Sequence, residues 1–124
     1  MHWFLVFIGG GIGAAARHGV NRAALVMLGP GFPWSTLIVN VLGSLAMGLL
    51  IGAFAAAPAG VSNNLRLFLT TGILGGFTTF SAFSLDALTL WERGQLGLAL
   101  LYVLASVTIS LVAIAAGFFL SRAF

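Results

Sequence analysis

Two stripes of uncharged polar residues run through an otherwise apolar chain. Thr36, Asn40 and Ser44 recur at every fourth position, and Tyr102, Ser106 and Ser110 repeat that spacing further along. Residues four apart share a face of a helix, so each stripe would line one side of a helix with hydroxyls and, at Asn40, an amide. A lone serine or threonine commonly bonds the carbonyl one turn back, a reading that weakens for two parallel stripes. Asn40 is harder still to explain that way, because its NH2 offers two donors that suit a dehydrating anion as well as a neighbouring helix.

A third set is the segment Gly72-Ile73-Leu74-Gly75-Gly76-Phe77-Thr78-Thr79-Phe80-Ser81-Ala82-Phe83-Ser84. Paired glycines, paired β-branched threonines and side chains that compete for backbone bonds all disfavour continuous helix, which predicts a break near 75–79. Freed carbonyls can hold a dehydrated cation such as Na+, while half-helix N-termini favour anions. Phe80 and Phe83 would project from nearly one face just beyond the break. Aromatic rings have positive edges, so the pair could meet an anion without a full charge that would trap it.

The elements that must position these groups are membrane spans. Of 124 residues, 60% are apolar and 6% charged, against roughly a quarter charged in a soluble domain. Five arginines, no lysine, Asp86, Glu92, His2 and His18 stand apart from one another, so the net charge of +3 gives no phosphate-tracking patch. With no cysteine there is neither a disulfide framework nor a thiolate site. The run Gly9-Gly10-Gly11-Ile12-Gly13-Ala14 lacks the preceding strand and following acid of a dinucleotide fingerprint. The apolar start from Trp3 lacks a basic n-region and is expected to be a retained first span.

A helix needs about 20 apolar residues to cross the hydrocarbon layer. The sequence predicts an all-α membrane protein, a single domain over 1–124, with spans near 3–20, 34–57, 64–91 and 95–122. Gly29-Pro30-Gly31 and Pro33 divide the first two spans, and Pro58-Ala59-Gly60 closes the second. Trp3, Trp34 and Trp91 fall at interfacial depths. Glycines four apart, Gly9/Gly13 and Gly48/Gly52, would let helices approach closely.

Arginine placement orients spans, and here it hardly chooses. Arg66 and Arg122 lie on the side of the termini, and Arg22, Arg93 and, if near its span's end, Arg17 on the other. Two against three leaves two readings: a small bias sets one orientation, or the chain inserts both ways and two opposed copies pack as an antiparallel dual-topology homodimer.

The run Gly75-Gly76-Phe77-Thr78-Thr79-Phe80-Ser81-Ala82-Phe83-Ser84, with Thr36-Leu37-Ile38-Val39-Asn40-Val41-Leu42-Gly43-Ser44 and Gly13-Ala14-Ala15-Ala16-Arg17, resembles the Fluc/CrcB fluoride channel family over essentially the whole chain. The resemblance implies a multi-pass protein of the bacterial inner membrane, a dual-topology antiparallel homodimer with two fluoride pores and a central structural Na+. It implies that Phe80 and Phe83 are pore phenylalanines, Asn40 the pore amide, and the carbonyls of Gly75 and Thr78 the sodium ligands. Tyr102, Ser106 and Ser110 match its polar track by spacing, and Arg17 its first-helix arginine, at a vestibule or in a structural pair. Two residues depart from it: Ala82 replaces a hydroxyl residue often found between the phenylalanines, and Asp86 stands where glutamate is usual.

The expected activity is passive export of cytoplasmic fluoride down its electrochemical gradient. No ATP motif, nucleophile with a base or acid pair for proton coupling appears, so no enzyme is expected. The rivals are a proton-coupled four-span multidrug exporter, which needs a central carboxylate, and a membrane scaffold subunit that transports nothing.

Overall fold

The computed structural model describes residues 2–57 and 60–123. Pro58 and Ala59 of the expected closing turn lie outside the described residues. Helix α1 (His2–Leu28) is followed by α2 (Trp34–Ala56). The third span, Asn63–Glu92, comprises a short α3 (Asn63–Arg66), a π-helical stretch over Leu67–Leu74, the single turn α4 (Gly75–Phe77), and α5 (Phe80–Glu92). Helix α6 (Leu96–Arg122) closes the order. Four helices are long and apolar enough to cross a membrane, and no strand occurs among the described residues. The protein is an all-α, multi-pass membrane protein.

Helix α1 contains Gly9, Gly10 and Gly11, poor helix formers in water. In lipid every backbone group must be satisfied within the chain, so helix wins over propensity. The helix continues past residue 20 because nothing stops it before Gly29. Gly29 takes φ +79° and donates its N–H to the Leu25 carbonyl at 3.0 Å, a left-handed stop that glycine alone adopts without strain. Pro30 then forbids continuation.

Two seams organise the bundle. Helix α1 packs on the π-helical stretch and α4, while α2 packs on α6. Both are glycine seams: a Cβ at Gly9 would lie 2.9 Å from Gly72 Cα, and one at Gly48 would strike the Ile114 carbonyl oxygen. Backbones are therefore in direct contact, the close approach that lets helices associate where hydrophobic driving force is absent. Two of the arginines stand at span ends. Arg66 stacks on Phe54 at 5.2 Å and Arg122 on Phe118 at 5.5 Å, covering each guanidinium with an aromatic face.

The third span is the irregular element. In the π-helical stretch the Thr70 hydroxyl donates to the Arg66 carbonyl. After α4, Thr78 (φ −86°, ψ 160°) and Thr79 (φ −153°, ψ 126°) are extended, and helix resumes at Phe80.

Candidate functional site

Thr79 begins the site. Its hydroxyl accepts the Ala82 N–H at 3.2 Å as the N-cap of α5. Its own N–H donates to Asn40 Oδ1 at 2.8 Å, and its carbonyl accepts from Asn40 Nδ2 at 3.0 Å. The pair of bonds fixes the orientation of the Asn40 amide and leaves one of its N–H donors uncommitted. Asn40 thus clamps the extended residues from α2, a partnership between positions 39 apart in sequence.

The diverted amides have a consequence for two carbonyls. In continuous helix the Thr79 N–H would meet the Gly75 carbonyl and the Ala82 N–H the Thr78 carbonyl. Here those donors are engaged by Asn40 and by the Thr79 hydroxyl. Gly75 and Thr78, the residues expected to hold sodium, therefore keep their carbonyl oxygens without the donor four residues on. Hard oxygen donors of this kind suit Na+, so the residues fit that ion. Among the described residues no cluster of three or more His, Asp or Glu could hold a metal.

A cavity of about 360 Å³ opens beside this point. Asn40 and Ser44 line it from α2, Gly75, Thr78, Thr79, Phe80 and Phe83 from the third span, and Ser106 and Ser110 from α6, with no charged side chain among its described lining. Ser106 is 4% exposed, and its hydroxyl oxygen is buried with no hydrogen-bond partner among the described residues. A buried hydroxyl without a partner costs about 1–3 kcal/mol, which is offset if a ligand meets it. Phe80 and Phe83 stand 5.6 Å apart at 48°. Phe80 is 78% exposed on the single chain, while Phe83 packs against Tyr102 with centroids 5.3 Å apart.

The expected residues divide. Asn40, Phe80, Phe83, Ser106 and Ser110 come together around one cavity with Gly75 and Thr78. Tyr102 is fully buried behind Phe83, and its hydroxyl donates to Asp86 Oδ2 at 3.0 Å. Asp86 belongs to a second cavity of about 200 Å³, which Thr36, Asn21 and Arg93 also line. The α2 stripe is therefore shared between two cavities, Thr36 in one and Asn40 and Ser44 in the other. Arg17 is half-exposed on α1 and lines neither.

Sequence reading passed over Thr79 as a binding partner and Phe32 entirely. The signal for Thr79 is a hydroxyl residue three positions before an amide that opens a helix; for Phe32 it is an aromatic set between Pro30 and Pro33.

Fold and site together define a small multi-pass membrane protein that keeps polar groups and loosened carbonyls around an open cavity without charged lining. Residues 4–118 match the family model described as CrcB-like protein, Camphor Resistance (CrcB), and the chain belongs to that family. It is 56% identical to a protein of Rhodopseudomonas palustris (strain BisB5) named fluoride-specific ion channel FluC, across 99% of this chain and 98% of the relative. A protein of the same name from Chelativorans sp. (strain BNC1) is 57% identical across 98% of this chain and 96% of its own length.

Proposed function

We propose that the protein is a passive, fluoride-selective channel, assembled as an antiparallel dual-topology homodimer with two pores, that lets cytoplasmic fluoride leave down its electrochemical gradient. The observation that carries this reading is the buried, unpartnered hydroxyl of Ser106, a residue that lines a cavity without charge among its described lining. Fluoride is small and strongly hydrated, so a selective pore must replace its water with donors in a narrow space. Ser106, Ser110 and the free N–H of Asn40 are such donors, and the edges of Phe80 and Phe83 add partial positive charge that does not trap the ion. The names of the relatives agree with this ion. A proton-coupled exporter would need a carboxylate in the cavity, whereas Asp86 is engaged by Tyr102 outside it.

The dimer and the sodium belong to the same reading. The third span acts in it as a broken helix whose freed carbonyls, Gly75 and Thr78, would hold Na+ at the dimer centre, with the second copy supplying matching oxygens. When bound, the ion supplies a fixed positive charge that ties the two breaks together. The nearly even distribution of Arg17, Arg22 and Arg93 against Arg66 and Arg122 supports insertion in both orientations.

Reconstitution in liposomes tests the channel. Fluoride loaded inside should leave within seconds of opening a counter-ion path, while chloride stays. A folded protein that passes no fluoride, or passes chloride equally, overturns the reading. Protein prepared and assayed with N-methylglucamine replacing Na+ should lose dimer or flux, both recovering when Na+ returns. An unaltered, conducting dimer without bound sodium would remove the ion from the account.

A further inference from the structure

Five aromatic rings form a continuous file from the α1–α2 loop to the extended threonines. Trp34 and Phe32 are 4.7 Å apart, Phe32 meets Tyr102 edge-on at 5.5 Å and 87°, and Tyr102 leads to Phe83 at 5.3 Å and on to Phe80 at 5.6 Å. Tyr102 lines neither cavity itself but contacts a lining residue of each. Its ring lies on Phe83, which lines the first, and its hydroxyl bonds Asp86, which lines the second with Phe32. The buried Tyr102 ring therefore stands between a residue of one cavity and a residue of the other.

What fixes the ring from the loop side is Phe32. It packs against the buried cluster of Leu90, Ala99 and Tyr102. Its mounting is stiff: Pro30 and Pro33 lock φ on either side, Gly29 turns the chain at φ +79°, and the Phe32 carbonyl accepts the Trp34 N–H at 2.8 Å. A side chain needed only to fill apolar space would not require an edge-on ring on a loop held this way. We infer that Phe32 is a positioning residue for conduction, holding the Tyr102 ring in the orientation that sets its contacts with Phe83 and Asp86. The inference rests on the channel reading above.

Tyr102 is the only tyrosine, so protein labelled with 3-fluorotyrosine gives one 19F NMR signal from the ring concerned. In fluoride-free buffer, Phe32→Leu should move or broaden that signal, because the edge-on ring current is lost. In liposomes the same variant should slow fluoride efflux about fivefold, the scale of one edge-on ring pair. Phe32→Tyr, which keeps the ring, should conduct like wild type and is read by flux alone. A second substitution, Phe32→Met, serves if leucine does not fold. A shifted signal with unchanged flux overturns the positioning role, since the contact is then packing only. Reduced flux with an unmoved signal overturns the route by way of Tyr102, and an unmoved signal with wild-type flux overturns both. Wild-type protein that passes no fluoride overturns the channel reading and the conduction role with it. The NMR arm then still shows whether Phe32 orients Tyr102, so the two failures are distinct.

Discussion

Asn40→Leu should leave no measurable fluoride efflux and a protein that unfolds at markedly lower temperature in detergent. The substitution keeps the approximate size of the side chain and removes both bonds to Thr79. The Thr79 N–H and carbonyl would then be left in an apolar surrounding, at about 1–3 kcal/mol for each unsatisfied group. A change of that total size is a large fraction of the stability of most folded chains. The extended residues would have an incentive to rejoin the helix, restoring the Thr79 N–H to Gly75 and withdrawing that carbonyl from the proposed sodium site. Asn40 thus acts twice, as the clamp that keeps Thr78 and Thr79 extended and as a donor at the cavity. Melting in detergent and efflux from liposomes separate the two roles: lost flux at wild-type stability would leave only the donor. Wild-type values of both would remove Asn40 from the site.

The clamp also marks how far the sequence could be read. The four spans follow from hydropathy and length, since the solvent outside the helices is lipid and twenty apolar residues admit few alternatives. The stripes on α2 and α6 follow from periodicity, because residues four apart must share a face. Gly75-Gly76 and Thr78-Thr79 are visibly poor helix formers. Which of their amides leave the ladder is not visible, because that depends on Asn40, 39 positions away, and local spacing does not encode a tertiary bond. The same holds for Asp86. As an acid toward the end of the third span it has no assignable role in sequence; in the fold it accepts the Tyr102 hydroxyl. The π-helical stretch over Leu67–Leu74 has no clear sequence signature either. It packs against the glycines of α1, a contact made by backbone rather than by side-chain pattern.

The second large effect is expected at Phe80, and its exposure makes it the cleaner of the two ring tests. Phe80→Ile should reduce fluoride efflux about tenfold or more, which corresponds to losing on the order of 1.4 kcal/mol of favourable contact with the ion. The stability of the single chain should hardly change, since the ring is 78% exposed and its ring contact among the described residues is with Phe83. Phe83→Ile should reduce flux as well, but with an added loss of stability, because its ring also packs on Tyr102. A pair that served only packing predicts the same order of stability, with Phe83 mattering to folding and Phe80 not, but no loss of flux at Phe80. Isoleucine keeps apolar bulk and abolishes the positive ring edge, so wild-type flux in both variants would return the rings to packing. Loss of flux at Phe80 with assembly intact is the result that only an anion path beside the ring can produce.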